Sequence, residues 1–165
     1  MKKPEVLGRL LLAAVPGLAA SPERLQMFID KGRVASRATG TLGFEVRYTL
    51  NIVLQDFAGD TTDVFVPLLS WIAEHQPALL EASGNEPFHF EAEVLDGDAV
   101  DLSIDIELSE SVGVTPKPGG GFTAEHFPEP PRFESFGGVD DTVTLWQLSL
   151  GSEAVVQSAQ APPSE

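Results

Sequence analysis

The run Val100-Asp101-Leu102-Ser103-Ile104-Asp105-Ile106-Glu107-Leu108 decides the fold class. Apolar side chains stand at every even position and Asp, Ser or Glu at every odd one between them, the period of two that sends successive residues to opposite faces of a β-strand. A strand with this alternation is covered on one face only, which is characteristic of antiparallel sheets. Just upstream, Phe88 to Leu95 reads as its partner, joined through Asp96-Gly97-Asp98, a composition that favours a tight hairpin turn. Phe44 to Leu54 repeats the alternation, with Phe44, Val46, Tyr48, Leu50 and Ile52 on one side and Glu45, Arg47, Thr49 and Asn51 on the other. Val34 to Thr39 reads as a shorter strand before it, with Gly40 to Gly43 closing the hairpin.

Around these strands the spacing changes to three and four. Leu7, Leu10, Leu11 and Ala14 place a first amphipathic helix over Leu7 to Val15. Ser21-Pro22-Glu23-Arg24 has the composition of a helix start, a serine cap followed by proline at the first helical position, and predicts a second helix ending near Lys31-Gly32. Val64, Leu68, Trp71, Ile72 and His75 predict a core helix from Val66 to Gln76, capped by Asp63, with Pro67 in its first turn and Pro77 at its far end. The expected architecture is therefore α/β (α+β): a one-sided, mostly antiparallel sheet packed against two or three helices.

Beyond Thr115 the periodicity lapses. Pro116 to Gly121 and Pro128 to Pro131 are rich in Pro and Gly, and Phe122, Phe127, Phe133 and Phe136 are scattered among them, so 116–138 reads as an extended Pro/Gly/Phe arm. Structureless stretches longer than about 15 residues are uncommon inside compact domains and are usually functional or disordered. Phe122, Phe127, Phe133 and Phe136 are candidate partner-docking residues, the alternative being a strap over the protein's own core. Thr142 to Leu148 and Ala154 to Gln157, with Gly151-Ser152 between them, read as a last hairpin. The expected organisation is one domain over 1–150, followed by a short strand and a disordered tail in 151–165.

Composition removes several function classes. The chain of 165 residues contains no Cys, which excludes disulfides, thiolate zinc sites and cysteine nucleophiles. A net charge of −15 argues against sequence-independent nucleic-acid binding, because phosphate backbones are held by Lys and Arg clusters. The distribution is uneven: residues 1–47 carry eight basic and four acidic residues, a net +4, and the remainder is −19. The apolar run Leu10 to Val15 is broken by Pro16-Gly17, so it reads as an amphipathic helix and not as a secretion signal, and no run is long enough for a membrane helix. His75, His89 and His126 stand apart without metal-ligand spacing, and Asp96-Gly97-Asp98 does not continue into a calcium loop. Ser70, Ser83, Ser103 and Ser111 lack a nucleophile-elbow context, and Gly119 to Gly121 lack the Lys-Ser/Thr of a phosphate loop. No catalytic residue, metal site or cofactor is expected.

The order and spacing of one long series resembles a known family. Phe28-Ile29-Asp30, Gly32 to Ser36, Leu42-Gly43-Phe44-Glu45-Val46-Arg47-Tyr48-Thr49-Leu50-Asn51, Gln55-Asp56-Phe57-Ala58-Gly59-Asp60 and Val66-Pro67-Leu68-Leu69-Ser70-Trp71 through Gln76-Pro77 are similar to the tail-completion protein R family of temperate contractile-tailed phages. The likeness is strongest over 20–110. It implies a tail-terminator-like structural protein of the virion tail, assembled in the bacterial host cytoplasm, which caps the head-proximal end of the tail tube or sheath and prepares it for head joining. The implied partners are tube, sheath and head-tail joining proteins and further copies of the chain in a ring, most simply a hexamer. The resemblance supplies no catalytic residues. The alternatives are a head-tail connector or neck protein, or a soluble binding module unrelated to phages.

Within that reading, charge polarity nominates contact surfaces. A closed ring uses head-to-tail interfaces in which two different patches meet, and opposite charge steers them together. Arg33, Arg37 and Arg47 are the candidate basic patch, and Glu91, Glu93, Asp101, Asp105 and Glu107 the candidate acidic one. The alternative is that these charges only solvate the sheet.

Overall fold

The computed structural model describes residues 1–37, 40–81, 84, 86–95, 99–129, 147–150 and 153–157, with side chains described through residue 129. The chain divides into two units, Met1–Pro131 and Arg132–Glu165. In the second, β6 (Gln147–Leu150) and β7 (Glu153–Gln157) form an antiparallel hairpin.

The first unit runs α1 (Lys3–Ala14), a 3₁₀ turn at Pro22–Arg24, β1 (Leu25–Ser36), β2 (Phe44–Phe57), α2 (Thr62–His75), α3 (Ala78–Glu81), β3 (His89–Val94), β4 (Val100–Pro116) and β5 (Phe122–Phe127). Its strands form one antiparallel sheet in the order β1-β2-β4-β3, with β5 also on β4. The α+β, mostly antiparallel, one-sided design expected from the alternation is present. Val46, Tyr48, Leu50, Ile52 and Leu54 of β2 and Leu102, Ile104, Ile106 and Leu108 of β4 are buried, and with Leu7 and Leu11 of α1 and Val64, Leu68, Trp71 and Ile72 of α2 they form one core. Fully burying each such aliphatic side chain contributes about 1.5–3 kcal/mol. Gly8 lets α1 approach the sheet: a Cβ there would lie 3.1 Å from the Met27 sulfur on β1.

Three expectations are corrected. The predicted second helix is a strand: the serine-proline start signal is realised only as the 3₁₀ turn Pro22–Arg24, after which Leu25 to Ser36 pairs with β2. Half-buried Leu25 and Met27 pack on the core only if the chain is extended here, and the sheet hydrogen bonds outweigh a local capping preference. A bulge between Asp30 and Arg33 leaves Lys31 and Gly32 opposite the single residue Tyr48, with Lys31 at φ 50°.

The core helix begins one turn earlier than expected, so Pro67 lies in its second turn, buried. Asp60, and not Asp63, serves the helix start: its Oδ1 accepts the Thr62 N–H at 2.8 Å.

The arm expected over 116–138 is in part a strand, and its residues 130–138 lie outside the described residues. β4 continues to Pro116, and Phe122–Phe127 folds back as β5 through a turn at Lys117–Gly121, closed by the Lys117 N–H donating to the Gly121 carbonyl at 3.0 Å. Gly119, Gly120 and Gly121 all have positive φ, which glycine adopts without a Cβ penalty. Asp96-Gly97-Asp98 lies outside the described residues, although Leu95 N–H donates across it to the Ala99 carbonyl at 3.0 Å.

Candidate functional site

The face of the sheet turned away from the helices is built from the odd positions of β2 and β4. Rows across it follow from the pairing: Arg33 with Arg47 and Ser109, Asp30 with Thr49 and Glu107, Phe28 with Asn51, Asp105 and His89, and Gln26 with Val53, Ser103 and Glu91. The structure therefore places Arg33 and Arg47 of the nominated basic patch and the whole nominated acidic patch on the same face of one molecule. The two arginines sit at one end of β1 and β2, whereas Asp101, Asp105, Glu91 and Glu93 gather at the opposite corner on β4 and β3. Arg37 follows the end of β1 and is exposed.

These charges differ in how far their own chain satisfies them. Thr49 donates to Glu107 at 2.6 Å, Asn51 to Asp105 at 2.7 Å, and the Asp56 N–H to Asp101 at 2.9 Å. Arg47 donates to Glu45 at 2.8 Å, which holds the Glu45 carboxyl below its usual value. Among the described residues, the side chains of Glu91, Glu93, Arg33 and Arg37 make no hydrogen bond or close ion pair, although the Arg33 charge also helps hold the Glu45 carboxyl low. Glu93 stands directly opposite Asp101, a like-charge pair that costs the isolated sheet stability.

Of the nominated aromatics, Phe122 and Phe127 lie on β5, about half exposed at 58% and 54%. The Phe127 ring covers the backbone of Gly113, where a Cβ would come within 2.4 Å of its Cζ. Phe133 and Phe136 lie outside the described residues.

A second polar constellation, on the helix-facing side, went unnoticed in the sequence. Glu110 of β4, 4% exposed, accepts from the Tyr48 hydroxyl at 2.6 Å and from the backbone N–H groups of Lys2 at 2.9 Å and Lys3 at 3.4 Å. It thus caps the start of α1, where the helix dipole favours an anion. Burial pushes the Glu110 carboxyl up, but the bonds from Tyr48, Lys2 and Lys3 and the nearby N-terminal ammonium outweigh it and leave the group below its usual range. The Tyr48 hydroxyl is pushed well above its usual value, first by burial and then by its bond to Glu110. His126 Nδ1 lies 2.9 Å from the second Glu110 oxygen, without the alignment of a hydrogen bond. Lys3 Nζ donates to Gln76 at 2.7 Å and to Glu129 at 3.0 Å, and burial lowers its pKa against the pull of both nearby carboxylates. Gln76, 5% exposed, closes the edge of β4 between the ends of β3 and β5 by accepting the Ser109 N–H at 3.2 Å and donating to the Ser109 hydroxyl at 3.1 Å. Continuing the alternation past Leu108 would have exposed the signal, since Glu110 falls on an apolar position between Leu108 and Val112.

Nothing in either constellation has the form of an active centre. Among the described residues no group of three or more His, Asp or Glu side chains is arranged to hold a metal ion, and no helix is long and apolar enough to cross a membrane.

Comparison with known proteins gives the remaining information. No solved structure matches the chain. The tail completion protein R of Escherichia phage P2 is 36% identical over 133 residues, covering 79% of this chain and 85% of that protein. The family model described as P2 phage tail completion protein R (GpR) matches residues 1–130, nearly the whole of the first unit. The aligned residues thus include both sheet edges, the acidic corner and the Glu110 constellation, and the chain belongs to the P2 phage tail completion protein R family.

Proposed function

We propose that this protein is a structural tail-completion component of a contractile phage tail: it closes the head-proximal end of the tube or sheath, working as a ring of copies, most simply six, and prepares that end for head joining. The observation that carries the reading is the family match over residues 1–130, which spans the folded unit from α1 through β5. Its site of action is the virion tail, reached by assembly in the host cytoplasm, and its partners are tube or sheath subunits below and head-tail joining proteins above. The work is done by surfaces, with no catalysis and no cofactor.

The acidic corner supports this role in a second way. DNA must pass the completed tail, and carboxylates lining a passage repel phosphates instead of trapping them.

Electron microscopy of particles made without the protein tests the reading. Tails of uncontrolled length are the expected result. Normal tails that fail to join heads would replace termination by a connector role, and normal, infectious particles would refute a tail-completion role altogether.

A further inference from the structure

The two outer edges of the sheet match each other. One edge is β1, exposed from Phe28 to Ser36. The other is composite, β3 followed by β5, both paired to β4, with all six residues of β3 exposed and only His126 of β5 half-buried. Both carry apolar side chains left in solvent: Phe28, Ile29 and Val34 on one, Phe90, Val94, Phe122 and Phe127 on the other. Exposed strand edges of this kind are templates for pairing with another chain.

Three independent features indicate that each edge is made for the other. The first is direction. Neighbours in β1-β2-β4-β3 are all antiparallel, so β1 runs opposite to β3, and β1 of a second copy in the same orientation adds to the β3 edge as one more antiparallel strand. The second is register. The bulge at Lys31-Gly32 splits β1 into two paired stretches, and it lies level with the gap between β3 and β5 that Gln76 closes. Across the sheet, Gln26 shares a row with Glu91 and Phe28 with His89 below the gap, and Ala35 shares one with Phe127 above it. The third is charge. Lys31, Arg33 and Arg37 against Asp30 make the β1 edge basic, whereas Glu91, Glu93 and Glu125 make the opposite edge acidic. Arg37, one step beyond the row of Ser36, Phe44, Val112 and His126, is level with Glu125.

We propose that copies of this chain join by strand addition, β1 of one lying antiparallel along the β3 and β5 edge of the next, so that the ring is held by a continuous sheet. This rests on the ring reading given above and specifies its interface. It is a head-to-tail contact, the kind that closes into a ring when the rotation between copies allows it. The main-chain bonds supply affinity, as in β-augmentation, and the charges select the correct edge.

The absence of Cys allows a direct test. Glu91→Cys is combined in turn with Gln26→Cys, Phe28→Cys and Asp30→Cys, three positions on the same face that cover successive registers, and each variant is oxidised both as purified protein and in assembled tails. Within one molecule the β1 and β3 positions are separated by three strand spacings, roughly 14 Å, twice the roughly 7 Å limit between Cα atoms for a disulfide. A ladder of covalent oligomers for one pair, absent from the single-cysteine variants, is the expected result. Arg37→Glu weakens the ladder, and adding Glu125→Lys restores it. No ladder in either preparation overturns strand addition. If tails still hold several copies at their end, the ring stands on another interface; a single copy there overturns both.

Discussion

Replacing Glu110 by Leu removes the acceptor that ties α1, β2 and β5 to one point on β4. The Tyr48 hydroxyl, now 2.6 Å from the carboxylate, then loses its partner in the interior, and the part-buried Lys2 N–H at 2.9 Å loses the acceptor that caps α1. The buried hydroxyl left unpaired costs about 1–3 kcal/mol and the lost cap of α1 about 1 kcal/mol, and the apolar replacement regains part of that, so the expected loss is about 2 kcal/mol. Against a typical total of about 5–15 kcal/mol this is large. In urea unfolding of the full chain followed by far-UV circular dichroism, it lowers the midpoint by about 1 M at a slope of about 2 kcal/mol/M. Tyr48→Phe alone costs about 1 kcal/mol, and much less in the Glu110→Leu background, because its hydroxyl is then already unpaired. The wild-type carboxylate also sets an acid limit. Its pKa is lowered from 4.5 in the folded state, so its contribution is complete above pH 4.5 and is lost as pH falls below that value through the folded pKa. Glu110→Leu flattens this part of the stability profile. A loss below about 1 kcal/mol, or strictly additive effects of the two substitutions, refutes the view that Glu110 acts through these donors.

Tyr48 is the single tyrosine of the chain, which makes its ionisation directly observable. Its folded pKa is raised from 10.0, so its contribution is full below pH 10 and is lost as pH rises further; tyrosinate absorbance is expected only together with unfolding, and smooth titration near pH 10 in folded protein would contradict the assignment. Gln76→Leu leaves the Ser109 N–H without its partner on the open stretch of β4 and is expected to cost about 1–3 kcal/mol in the same urea assay, whereas an unchanged midpoint would mean that water replaces the amide fully.

The parts of the fold that were legible in the sequence are those where one side of an element is buried throughout. The alternation in β2 and β4 and the stripe Val64, Leu68, Trp71, Ile72 in α2 express burial directly, and all became core. β1 was illegible because only Leu25 and Met27 at its start pack against the core, while Phe28 to Ser36 is exposed and carries no periodic signal. The local serine-proline pattern then prevailed in the reading, although the partner strand prevails in the molecule. β5 escaped for the same reason: Thr123, Glu125 and Phe127 face solvent, and Phe122 and Ala124 on the other side are exposed too. Edge strands owe their shape to main-chain pairing with a neighbouring strand, here the adjacent β2 and β4, and side chains exposed on both faces carry no sign of that pairing. The charged residues were legible as a list, but their shared face was not, since it depends on the pairing of β1 with β2 and β4 with β3.

That shared face changes how the charge polarity must act. Two copies meeting face to face about a two-fold axis through the acidic corner would bring Glu91, Glu93, Asp101 and Asp105 against their own equivalents, and like charges at close range oppose association. Sliding one face over the other to reach Arg33 and Arg47 meets a cluster in which Arg47 is already paired with Glu45 and Arg33 is its cross-strand neighbour. The cations and anions whose side chains make no hydrogen bond or close ion pair instead lie along opposite edges: Arg33 and Arg37 at β1, Glu91 and Glu93 at β3. A contact that moves sideways, edge to edge, joins these without placing acid on acid, and leaves Asp101, Asp105 and Glu107 on a continuous sheet face turned away from the helices. The proposed strand addition therefore depends on β1 being a strand, because a helix in its place would leave the basic third of the chain with no strand edge to offer.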